Sequence, residues 1–178
     1  MKPLSLTKAA VVVALAASAQ AALAADGNVN FVGKIVDTPC SISPSSTNLT
    51  VPLGTVSRSV LNGAVGNRST PAKFTIDLLN CGATVTGATV SFSGTPDATN
   101  ANKLRIGVGE VAGTFATGAA IEIADSSGTP INLGSPSASY PLAQGNNSLQ
   151  FQASYISVLS SVTTGTGNAV AQFTVAYQ

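Results

Sequence analysis

The segment 171–178, "AQFTVAYQ", decides how the rest of the chain is read. Phe173, Val175 and Tyr177 alternate with Gln172, Thr174 and Ala176, the period-two pattern of a β-strand with one buried face. It is also the last segment of the sequence, and most domains end in a few loose residues unless the terminus is tied down, for example into a sheet. A strand here predicts a β-protein and raises the question of what covers its edge.

Similar short alternating segments recur upstream. "KFTIDLLNC" offers Phe74, Ile76 and Leu78 to one face, "ATVSFSG" offers Val90 and Phe92, and "SLQFQASYI" offers Leu149, Phe151, Ala153 and Tyr155. "NVNFVGKIV", "KLRIGV" and "AAIEIAD" follow the same rule. Turn signals separate them: "SPSSTN", "NGAVGN", "GTPDATNAN", "DSSGTP", "QGNNS" and "TTGTGN". No segment sustains a 3.6-residue period, and no repeat or linker divides the chain. The expectation is one all-β domain of about seven to nine strands, packed as two sheets.

The first residues stand apart. Residues 1–24 place Lys2 and Lys8 before an Ala- and Val-rich run that closes on Ala22-Leu23-Ala24, the form of a cleaved secretory signal. A mature chain of about 154 residues would then start at Ala25, with no second apolar run of about 20 residues to span a membrane. It keeps six basic residues (Lys34, Arg58, Arg68, Lys73, Lys103 and Arg105) against seven acidic ones, so no basic stripe points to nucleic acid. Cys40 and Cys81 are the only cysteines, and in an oxidising compartment such a pair is expected to be bridged.

Catalysis finds little support. The chain has no histidine, which removes the Ser–His and Cys–His arrangements, and there is no CxxC spacing for a redox or metal pair. The acidic residues Asp26, Asp37, Asp77, Asp97, Glu110, Glu122 and Asp125 are scattered, with no spacing that singles out a catalytic pair. "GVGEVAG" (107–113) imitates a dinucleotide loop but has no helix after it, and reads as a glycine-rich connection. No cofactor or metal is expected. "NLT", "NRS" and "NNS", at Asn48, Asn67 and Asn146, have the form of glycosylation sequons but are common by chance in such a composition.

Between Ala25 and Cys40 the alternating positions are Val29, Phe31, Gly33 and Ile35. A glycine in mid-strand marks a bulge or a site of close approach. One reading is a first strand with a bulge at Gly33; the other is a strand built for another molecule's sheet. The residues alone support both.

Taken together, "FVGKIVDTPCSI", the "FTIDLLNC" strand about 40 residues later, "VSFSGTPDATNANKL", Gly165 at 14th from the end and the penultimate tyrosine of "NAVAQFTVAYQ" resemble the subunits of Gram-negative chaperone–usher fimbriae, the type 1-like pilins. The resemblance spans the mature chain. It implies an incomplete immunoglobulin-like sandwich lacking its last strand and completed by donor-strand complementation. It divides the chain into a signal peptide (1–24), a donor-strand extension (25–38) and a pilin domain (39–178). Val29, Phe31, Gly33 and Ile35 match the donor strand. Gly165, Phe173, Val175, Tyr177 and Gln178 match the chaperone-contacting groove edge. The implied partners are a periplasmic chaperone, an outer-membrane usher and neighbouring subunits, and the implied place is a cell-surface fimbria. The short extension before Phe31 inclines toward a minor subunit without excluding the shaft, and a tip adhesin would need another domain. The alternative is an exported carbohydrate-binding sandwich acting as a monomer. It has few aromatic platforms, since of Tyr140, Tyr155 and Tyr177 the last two fall on core-like positions.

Overall fold

The computed structural model describes Gly27, residues 29–33, Ile35 and residues 39–178. The proposed signal peptide, Asn28, Lys34 and residues 36–38 lie outside the described residues. The chain forms two units that divide between Val36 and Asp37.

The second unit is built on four long strands, β2 (Ala72–Cys81), β3 (Gly87–Gly94), β5 (Ala119–Asp125) and β8 (Gly145–Ser157), and on the terminal strand β9 (Ala171–Tyr177). Short strands β1 (Ser41–Ile42), β4 (Leu104–Arg105), β6 (Pro130–Ile131) and β7 (Tyr140–Pro141) complete it. One sheet runs β1-β2-β8-β5-β4 with β6 paired to β5, and the other runs β7-β3-β9. All of these pairings are antiparallel. Register follows the apolar alternation: Phe74 faces Phe151 and Ile76 faces Leu149, while Val90 faces Val175 and Phe92 faces Phe173. A one-residue slip would turn each apolar set to solvent, so the pattern fixes the pairing.

The two inner faces meet in an aromatic cluster. Phe151 stacks on Phe74 with ring centroids 5.6 Å apart and takes the edges of Phe92 and Tyr140 at 5.2 and 5.3 Å. Such pairs add to the value of burial itself, and Phe151, Ile76, Leu78 and Val90 are fully buried. Cys40 and Cys81 form a disulfide that ties the start of this unit to the end of β2. Closing that loop stabilises the fold by about 4 kcal/mol on the chain-entropy account. Just before it, Leu78 to Cys81 carries a bulge where Asn80 takes φ 54° and donates its N–H to Asn146 Oδ1.

Several segments differ from their expected form: the described residues of "NVNFVGKIV" form no strand, and most of "QGNNS", expected as a turn, belongs to β8 from Gly145 on. "SPSSTN" holds a four-residue helix, α1 (Pro44–Thr47), rather than a plain turn: Pro44 suits the first helical turn, and buried Ser46 Oγ accepts from the Asp77 N–H at 2.9 Å. A second short helix, α2 (Arg58–Leu61), carries the chain toward the loop at 62–67. "KLRIGV" contributes only Leu104–Arg105 to the sheet, because Gly107 turns the chain at φ 72° immediately after buried Ile106.

The outer face of the larger sheet carries an ion cluster, with Glu122 and Lys103 buried and Arg68 half-exposed. Glu122 lies between Ile121 and Ile123 but points the opposite way, and its side chain is only 5% exposed. Lys103 Nζ lies 2.7 Å from Glu122 Oε2, and Arg68 Nε lies 2.5 Å from Oε1. Burial pushes the Glu122 carboxyl up, but the hydrogen bonds and charges of Arg68 and Lys103 outweigh it and hold the group below the usual carboxylate range.

Candidate functional site: an open edge above the core

β9 pairs with β3 on one side, and among the described residues no strand lies on the other. The hydrogen-bond parity says which groups face outward. Gly87 and Gln178 exchange both main-chain bonds, at 3.3 and 2.8 Å. Antiparallel pairs alternate between bonded and non-bonded, so Thr89–Ala176, Ser91–Thr174 and Ser93–Gln172 are the bonded pairs that follow. The N–H and C=O groups of Phe173, Val175 and Tyr177 therefore point away from β3, toward the open edge. The side chains of the same three residues turn inward, half-buried against the core.

Beside that edge the sandwich is not closed. A cavity of about 220 Å³ is lined by Leu49, Val51 and Leu53 on one wall and by Ala169, Ala171 and Phe173 on the other. Its floor includes Phe74, Phe92, Leu104, Ile121 and Ile123, which are core residues. A second cavity of about 420 Å³ is bounded by Val56 and Leu61 on one side and by residues 162–168 on the other. The wall at 49–56 belongs to no strand. An open strand edge and an apolar trench into the core thus lie side by side, where a sandwich would carry one more strand.

Gly165 lines the second cavity, and its backbone is specific to glycine. Its φ is 154°, and a Cβ there would come within 2.4 Å of the Phe115 carbonyl carbon and 2.5 Å of the Ala116 nitrogen. Segment 163–168 can bridge to Phe115 only because no side chain separates the two backbones. At the other end of β9, Tyr177 Oη donates to the Cys40 carbonyl at 3.5 Å, and burial pushes its phenol pKa up. The main-chain oxygen of Gln178 accepts from the Thr86 N–H at 2.9 Å, which ties the terminus to the start of β3.

The remaining predicted residues belong to the first unit. Val29, Phe31 and Ile35 are exposed, at 76, 93 and 102%, and a Cβ on Gly33 would meet nothing within 4 Å. Among the described residues nothing covers these apolar side chains or crowds position 33. The trench wall at 49–56 was not singled out in the sequence. Leu49, Val51 and Leu53 do alternate, but Pro52 interrupts the pattern, and a proline suits a segment with no strand paired along it.

An immunoglobulin-like sandwich that lacks one strand, with an open edge where it should lie, defines a class of proteins made to be completed by another segment. The comparisons agree. The family model described as "Fimbrial protein" matches residues 29–178. The chain is 43% identical to a probable major fimbrial subunit of Escherichia coli O157:H7, over 89% of this chain and 87% of the relative. It is 41% identical to the major MR/P fimbria protein of Proteus mirabilis, over 98% of this chain and all of the relative. A solved chaperone–usher pilus subunit, from work on rod uncoiling, superposes with a TM-score of 0.69 at 30% identity, covering 86% of this chain and 96% of that one. The chain belongs to the fimbrial protein family of chaperone–usher pilus subunits. It is a structural subunit of a surface fimbria, exported by way of the periplasm, and its family is one of polymerising building blocks rather than enzymes.

Proposed function

We propose that the trench beside β9 receives residues 29–35 of a neighbouring copy, so that each subunit's missing strand is supplied by the next. The observation that carries this reading is the open edge itself. Outward N–H and C=O groups at Phe173, Val175 and Tyr177 lie beside cavities that reach the core. Strand addition would bond that edge and fill the trench with alternate side chains. Burial of Val29, Phe31 and Ile35 would contribute roughly 1.5–3 kcal/mol each. Gly33 would sit where the added strand passes closest to the subunit. Donor segment and trench are different surfaces, so the contact is head-to-tail and propagates as an open filament.

On the same reading a periplasmic chaperone fills the trench first, gripping the Gln178 carboxylate through basic residues, and an outer-membrane usher exchanges it for the next subunit. Left unfilled, the trench is an apolar edge prone to misassociation. We place this chain in the shaft. The two relatives above carry the word "major" in their names and match nearly end to end, which outweighs the inclination drawn from the short extension.

A synthetic peptide spanning Ala25–Pro39 tests the reading. It should insert into the purified subunit and block fibre growth, and the same peptide carrying Gly33→Asn should do neither. Equal binding by both peptides would overturn the role given to Gly33. A subunit that expresses as a soluble monomer without a chaperone and ignores the peptide would favour the carbohydrate-binding alternative.

A further inference from the structure

The trench wall at 165–170 is thin. Its inner side lines the two trench cavities, while Asn168, Ala169 and Val170 also line a separate open recess of about 350 Å³ shared with Gly94, Thr95 and Val108. Among the described residues no packed layer covers the wall at Val170, which is 82% exposed. The wall is held instead by hydrogen bonds. Gly107 N–H donates to the Asn168 carbonyl at 2.8 Å, Ala116 N–H to the Thr166 carbonyl at 2.8 Å, and Tyr155 Oη to the Gly167 carbonyl at 3.0 Å.

One side chain adds to these at two points. Glu110 accepts from Thr166 Oγ1, and its other oxygen accepts from Asn168 Nδ2 at 3.0 Å. It stands in the "GVGEVAG" loop, where positive φ at Gly107, Gly109 and Gly113 and a Glu110 N–H to Gly107 carbonyl bond at 3.2 Å fold the chain back toward the wall. Hydrogen bonds to a carboxylate are the stronger kind, and these two span residues 166 and 168 of a segment with little packing of its own.

We propose that Glu110 is a positioning residue for strand exchange: it latches the 165–170 wall and so sets how long an inserted strand stays in the trench. The proposal rests on the strand-acceptor reading above. It gives the glycine-rich loop a task, since its turns place a carboxylate against the wall.

The full mature chain, refolded around a fluorescein-labelled Ala25–Pro39 peptide and chased with unlabelled peptide, provides the test. Glu110→Ala should release the labelled peptide about tenfold faster than the unsubstituted chain, the effect of losing about 1.4 kcal/mol of charge-assisted bonding. Glu110→Gln, which can still accept from Asn168 and donate to Thr166, should stay within about threefold. Asn168→Ala, which removes one of the two bonds, should fall between them. Arg68→Ala serves as the control: it loosens the far face of the sandwich and should lower the melting temperature without changing release. Release from Glu110→Ala at the unsubstituted rate overturns the latch while leaving strand acceptance intact, as does equal acceleration by Arg68→Ala. Failure of the unsubstituted chain to bind the peptide at all overturns the strand-acceptor reading, and the latch with it.

Discussion

A methyl group at Gly165 has nowhere to go. It would meet backbone atoms of Phe115 and Ala116 at 2.4 and 2.5 Å, on a φ that side chains avoid. Gly165→Ala should therefore destabilise the subunit by about 3 kcal/mol, measured by denaturant unfolding of the peptide-filled form. An unchanged midpoint would show that the bridge between 115 and 166 yields without cost. Glu122 makes a second prediction, with a pH sign. Its carboxyl is held below the ordinary range in the folded chain, so the unfolded chain takes up the proton first as pH falls. The stability it contributes is fully present above the ordinary carboxylate pKa of about 4.3 and is lost as pH drops through the lower folded value. Glu122→Gln leaves the Lys103 ammonium buried without its counter-charge and should cost about 3 kcal/mol at pH 7. The gap should begin to narrow as pH falls below about 4.3, where the unfolded chain's carboxyl takes up a proton, and narrow further as pH drops through the lower folded value; a gap independent of pH would contradict this account. Neither residue's role was legible in the sequence. Gly165 entered only through the family resemblance, and Glu122 was one acid among seven until folding buried it between Arg68 and Lys103.

At the scale of the element, β9 has two inequivalent sets of amides. Those of Gln172, Thr174 and Ala176 bond to β3, while those of Phe173, Val175 and Tyr177 face the open edge. Amide hydrogen exchange should separate them: the first set is protected with or without donor peptide, and the second becomes protected only when the peptide is bound. Protection of both sets before peptide addition would mean that the edge is already paired. The strands themselves were readable because their apolar alternation is uninterrupted. β2, β3, β5, β8 and β9 fall where Phe74, Val90, Ile121, Phe151 and Val175 place them. The elements that were misread or missed depend on tertiary partners. α1 is anchored by Ser46 to the backbone of β2, β4 is cut short by the turn at Gly107, and the wall at 49–56 has no strand pairing to announce it.

For the whole molecule, the open edge, the trench into the core and the exposed apolar side chains of residues 29–35 are complementary shortages. Among the described residues, one part has an unpaired strand edge, and the other is a strand-like sequence whose Val29, Phe31 and Ile35 are exposed. Family membership makes the polymer the working form, and on the proposed reading the copies join through residues 29–35 and the open edge of β9. The most direct test is the structure of the assembled fibre by electron cryo-microscopy, at a resolution that traces main chain. The account predicts that residues 29–35 of one copy lie along β9 of the next, bonded to the N–H and C=O groups of Phe173, Val175 and Tyr177, with Gly33 at the closest approach. A trench filled by the subunit's own chain, or left empty while copies touch elsewhere, would contradict it.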